Sequence, residues 1–123
     1  MNPKHHLNWL GESKPTNYPA AQSYLALLYP VNQVTKLVAR LQQAPLSEFK
    51  AKDVFRASQL SLLGVSNRHV KRNEKKIRHG EALSPILLVR DPKNGKVVIA
   101  DGYHRMCAIY HYNEDAVIHC KIV

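Results

Sequence analysis

Apolar residues recur along the chain with changing periods, and each period predicts a different element. From Pro19, whose fixed φ suits a first helical turn, Tyr24, Leu25, Leu28 and Tyr29 fall at helical spacing until Pro30 breaks the run. Val31, Val34, Leu37, Val38 and Leu41 form one stripe of a second helix, with Asn32 as its expected N-cap and Pro45 as its end. Two such helices bury too little on their own, so they predict a hairpin laid against something else. Residues 46–51 alternate apolar and polar, as a short half-buried strand does. Asp53 is expected to cap a brief helix through Val54, Phe55 and Ala57.

Gly64, Ser66 and Asn67 mark a loop, and Asn67 is the expected cap of a helix over residues 68–79 that Gly80 terminates. That helix has a narrow stripe, Val70 and Ile77; most of the rest is Arg68, Lys71, Arg72, Lys75, Lys76 and Arg78, opposed by Glu74. Residues 86–89 form a continuous apolar run typical of a buried strand. The Asn94-Gly95 pair turns the chain, and residues 96–100 return as the partner strand. Asp101-Gly102 breaks that strand, residues 103–112 read as a helix with Met106, Ala108, Ile109 and Tyr110 available to the core, and residues 116–123 read as a strand. The predicted class is α+β: a small mixed β-sheet with packed helices over residues 46–123. Residues 1–45 are expected to be an irregular lead-in and an appended helical hairpin, which leaves open whether the hairpin covers a site or extends a homodimer surface.

Composition changes this picture mainly through charge. Eighteen Lys and Arg stand against nine Asp and Glu, a net charge of +9, which favours nucleic acid, nucleotide phosphates or acidic protein surfaces as partners. The plain alternative is that the charge only maintains solubility. A hydrophobic share of 45% argues against disorder along the whole chain. No apolar run is long enough to span a membrane, and Asn8, Glu12 and Ser13 interrupt the place where a signal peptide needs an apolar core. Cys107 and Cys120 cannot build a disulfide scaffold, so a reducing cytoplasm is the expected location. The His5-His6 pair lacks a nearby third ligand, and Trp9 with Leu10 reads as a docking point in the lead-in.

The segment that carries chemistry is Asp101-Gly102-Tyr103-His104-Arg105. A strand stops, a glycine permits an unusual bend, and a helix begins at once, which turns the first N–H groups and the positive end of the helix dipole toward an anion. His104 and Arg105 add donors in that first turn, and the guanidinium fork matches phosphate oxygens. Asp101 would hold Mg2+, orient a hydroxyl or accept a proton. The structural alternatives are that Asp101 caps the helix, that Arg105 pairs with Glu114 or Asp115, and that His104 is an ordinary surface histidine. Glu48 and Asp53 are further carboxylate candidates, and Cys107 is expected to face the core.

This segment, preceded by the strand at residues 97–100, resembles the signature of the ParB/sulfiredoxin superfamily. The order of a strand near Phe49, a helix from Val70 to Arg78, and then Ser84-Pro85-Ile86 entering a strand is similar to the order in that family; the likeness covers residues 46–123. In ParB-type partition proteins the glycine-arginine segment binds a cytidine nucleotide and a separate helix-turn-helix reads DNA. Val123 follows the motif closely, so a full partition protein is not expected. Sulfiredoxins place a nucleophilic cysteine where this chain has Tyr103. The free-serine kinases, with Asp-Gly-His-His-Arg, look most similar in this segment. That resemblance implies catalytic roles for Asp101 and His104, with Asp101 also at a metal. It also implies nucleotide or phosphate contacts from Gly102, Tyr103, His104, Arg105, Ser84 and Pro85, joined by Lys71, Arg72, Lys75 and Lys76. The leading expectation is a ParB-like nucleotide-binding protein taking a nucleoside tri- or diphosphate with Mg2+, with phosphoryl transfer or hydrolysis as its chemistry. The alternatives are a nucleic-acid-binding or nuclease-like module built on residues 68–78, and a non-catalytic adaptor.

Overall fold

A computed structural model describes residues 7–123; the His5-His6 pair lies outside the described residues. The protein is α+β, a four-stranded mixed sheet with helices on both faces. The first helix, α1 (Asn17–Leu25), tolerates Pro19 in its first turn, where the missing N–H has no ladder partner to lose. Its core face is Tyr18, Ala21 and Leu25, whereas Tyr24 and Leu28 are exposed. The apolar periodicity at Tyr24, Leu25, Leu28 and Tyr29 therefore overran a helix that ends at Leu25. Pro30, extended at ψ 151°, starts α2 (Val31–Gln43) directly. Asn32 is accordingly inside α2 and not its cap, and its Oδ1 accepts from the Gln33 N–H at 3.0 Å.

Strand β1 (Ser47–Lys50) runs straight into α3 (Ala51–Ser58). Asp53 does not cap α3. The Ala116 and Glu114 carbonyls accept from the Ala51 and Lys52 N–H groups at 2.8 and 2.9 Å, so backbone from a distant loop does the capping. Asp53 instead pairs with Arg56 at 3.6 Å on the surface. Helix α4 (Arg68–Arg78) is capped as expected: Asn67 Oδ1 accepts from the N–H groups of His69 and Val70, and Gly80 turns away at φ +72°.

Strand β2 (Ile86–Asp91), a single 3-10 turn (Pro92–Asn94) and β3 (Lys96–Asp101) form the hairpin. Helix α5 (Tyr103–Tyr112) and β4 (Val117–Ile122) complete the fold. The sheet order is β1-β4-β2-β3, with β4 antiparallel to β1 and parallel to β2, and β2 antiparallel to β3.

Side-chain alternation along β2 explains its continuous apolar run. Ile86 and Leu88 pack with α3, α4 and α5, while Leu87 and Val89 pack with α1 and α2. The N-terminal hairpin thus shares a core with β2 and β3, built from Leu25, Val34, Leu41, Val98 and Ala100 among others. Fully burying side chains such as Leu25 and Leu41 contributes about 2–3 kcal/mol each. Among the described residues no helix is long and apolar enough to cross a membrane.

Candidate functional site

The β3–α5 junction turns on Gly102, which is the N-cap of α5 at φ +106° and has no side-chain cap. The first intrahelical bond is Met106 N–H to Gly102 O at 2.8 Å, which leaves the N–H groups of Tyr103, His104 and Arg105 outside the ladder. Asp101 therefore does not cap the helix. A Cβ on residue 102 would sit 2.7 Å from Arg105 Nη2 and 2.8 Å from Ile86 Cδ1. The missing side chain is the space through which Arg105 folds back beneath the bend.

Arg105 ends 3.6 Å from Asp101 Oδ2, and its Nη2 lies 3.4 Å from the Pro85 carbonyl. The side chains are 14% and 19% exposed. Burial raises the Asp101 pKa against the opposing pull of Arg105, and burial lowers that of Arg105 despite Asp101. Two mostly buried charges therefore offset each other at a separation longer than a good hydrogen bond. Arg105 does not pair with Glu114 or Asp115; Asp115 is taken by Lys52 at 2.9 Å.

His104 lies elsewhere. Its ring stands 4.8 Å from that of His69 on α4 and 5.6 Å from that of Tyr103. Burial, then the nearby His69, lowers its pKa from 6.5. Tyr103 reaches across to donate its hydroxyl proton to the Ser61 carbonyl. The expectation that His104 and Arg105 converge on one anion is corrected here: Asp101, one helical turn back, draws the guanidinium inward, while His104 faces α4. Cys107 is buried in the core as expected, and burial raises its pKa.

A cleft of about 380 Å³ opens beside the junction, lined by Tyr24, Leu60, Ile99, Asp101, Tyr103 and His104, with Gly102 in its wall. Arg105 does not line it. Of the basic residues on α4, Arg68, Lys71, Arg72, Lys75 and Arg78 are exposed, and Lys76 is half-buried. Ser84 and Pro85 are buried beneath the N-terminal segment: Lys14 N–H donates to Ser84 Oγ at 3.1 Å, Ser84 Oγ contacts Asn17 Oδ1, and Ser13 Oγ donates to the Pro85 carbonyl at 3.4 Å. Glu48 lies on β1 beside His119 at 3.6 Å, so neither it nor Asp53 joins Asp101. No group of three His, Cys, Asp or Glu side chains is gathered among the described residues. The donor set around Asp101, one carboxylate already facing a guanidinium, does not fit a protein-held Mg2+.

Several residues here carry no sequence signal that marks them. His69 and His104 are separated by 35 positions and meet only because α4 packs on α5. Lys121, 3% exposed, bonds Glu12 at 2.8 Å, the Tyr18 hydroxyl at 3.0 Å and the Gln42 carbonyl at 3.1 Å. Burial works against its charge, but Glu12 and Tyr18 outweigh it and raise the pKa. That contact, the Trp9–Leu83 bridge and the stacking of Trp9 on His119 tie the lead-in to the sheet. The docking expected of Trp9 and Leu10 is seen there, with Leu10 N–H donating to the Leu83 carbonyl at 2.8 Å. In comparisons with known proteins, no family model, no curated protein and no solved structure matches this chain.

Proposed function

We propose that this protein binds a phosphate-bearing nucleotide, a nucleoside di- or triphosphate, in the cleft at the start of α5. The observation that carries this reading is the Gly102 junction: a helix starts without a side-chain cap in the wall of a cleft lined by aromatic rings. Unladdered N–H groups and the positive end of the helix dipole favour a phosphate. Tyr24, Leu60 and Tyr103 offer flat or apolar surface to a base. His104 at the rim supplies a ring N–H even when neutral. The resemblance of residues 101–105 to the ParB/sulfiredoxin signature supports the same position.

In this reading Asp101 and Arg105 are positioning residues: Arg105 braces the bend from beneath, and Asp101, which pairs with it, also lines the cleft. The exposed cations of α4 raise the local concentration of anions. Any Mg2+ would arrive on the ligand's own phosphates. The reading is one of binding, with no chemical step assigned.

Thermal-shift measurements with ATP, ADP, CTP and GTP, each with and without Mg2+, test it. At least one nucleotide should raise the melting temperature by mass action. Tyr24→Ala and His104→Ala should reduce that rise, while Lys36→Ala, exposed on α2 and outside the cleft lining, should not. No shift with any of the four at millimolar concentration overturns the reading.

A further inference from the structure

We infer that the occupant of the cleft is the terminal nucleotide of a single-stranded nucleic acid, whose following phosphates run along one flank of α4. The inference rests on the nucleotide reading above and extends it to a polymer. His104 lines the cleft and its ring packs on His69, so the cleft borders α4 through that pair of rings.

On a helical wheel His69, Arg72 and Lys76 share one flank, offset from the buried side marked by Val70 and Ile77. Arg68, Lys71 and Lys75 border that flank on the exposed side. Among the described residues none of the five cations Arg68, Lys71, Arg72, Lys75 and Lys76 has an ion-pair partner. The helix's acidic residue, Glu74, faces Arg78 at 3.9 Å toward the opposite edge.

Lys76 lies seven residues beyond His69, about 10 Å further along the axis. A phosphate group seated at Gly102 leaves this row of charge unmatched, whereas a strand continuing from the cleft places successive phosphates along it. The lining suits a splayed end base: Tyr24 and Leu60 are 39% and 38% exposed at the cleft mouth, and bases stack on tyrosine rings with little regard to sequence. A base still paired and stacked in a duplex presents neither free face to such a cleft. Single strands with free ends, DNA or RNA, are therefore the predicted class.

Fluorescence anisotropy with internally labelled ten-nucleotide oligo-dT and oligo-U, linear and circularised, tests the inference alongside the mononucleotide thermal shift. Linear strands should bind at least tenfold more tightly than circles of the same composition. About three phosphate contacts should weaken binding roughly 20-fold between 50 and 200 mM salt. Arg72→Glu/Lys76→Glu should weaken linear oligomers at least tenfold while changing the mononucleotide shift little, with Lys36→Glu/Arg40→Glu, both exposed on α2, as the matched charge control. Comparison of oligo-U with oligo-dU, which differs from it only by lacking the 2′-hydroxyl, assigns the sugar.

If mononucleotides shift the melting temperature but linear oligomers bind no better than circles, or ignore the α4 reversal, the inference fails and the nucleotide reading stands. If oligomers bind through α4 while no mononucleotide stabilises the protein and Tyr24→Ala has no effect, the nucleotide reading fails and takes the inference with it.

Discussion

The Asp101 carboxylate and the Arg105 guanidinium face each other at 3.6 Å across the first turn of α5, with Gly102 lying between them in the chain. The pair makes the bend and the charge balance one structural unit. Removing either member leaves the other charge mostly buried and uncompensated.

Asp101→Ala and Arg105→Ala should each lower stability by about 2–4 kcal/mol. The double variant should cost clearly less than the sum, with a coupling of about 1–3 kcal/mol in a double-mutant cycle read by urea denaturation. Strict additivity would show that the two charges do not sense each other.

Gly102→Ala adds a left-handed backbone penalty to contacts of 2.7 and 2.8 Å. Arg105 Nη2 can shift only by leaving Asp101, and Ile86 is fully buried, so neither neighbour yields cheaply. A loss of about 2–3 kcal/mol is expected. An unchanged denaturation midpoint would contradict the described junction.

Glu12 and Lys121 should respond unequally. Lys121→Met removes the buried cation and fills its volume, with an expected stability change within about 1 kcal/mol. Glu12→Leu strands the cation against two neutral oxygens and should cost more, about 1–2 kcal/mol. Both should lower the fluorescence anisotropy of Trp9, the single tryptophan, if this contact holds the lead-in to β4.

His104 sets a pH dependence. Its folded pKa lies below the ordinary 6.5, so the unfolded chain takes up this proton more readily than the folded one. Stability from this group is fully present above 6.5 and is lost as pH falls toward the lower folded value. The wild type should therefore lose more stability than His104→Gln between pH 7 and pH 5, followed by thermal melts. Equal losses would mean that burial beside His69 does not disfavour the imidazolium.

Much of the element order is legible in the chain because periodicity and punctuation agree. Asn67 and Gly80 bracket α4, and the continuous run at Ile86–Val89 has one apolar layer for each parity of side chain. The caps of α2 and α3 are not legible, since one follows directly from a proline and the other comes from carbonyls more than sixty residues away. The Asp-Gly-Tyr-His-Arg segment marks the β3–α5 junction, but not the direction of its side chains. Arg105 turns inward because of a neighbour four residues back, and His104 turns toward a ring that only tertiary packing brings near. The cleft walls from α1 and the loop at Leu60 lie far from the motif in sequence and carry no mark of their own.

Among the described residues strand β4 is the sole bridge between β1 and the β2–β3 hairpin, and it follows both in the chain. During synthesis β1 leaves the ribosome with no partner in the sheet, and its edge stays unpaired until residues 117–122 emerge. Sheet closure is therefore a late, long-range event, and a nascent chain stalled before β4 presents open strand edges to whatever chaperone or neighbouring polypeptide meets it first.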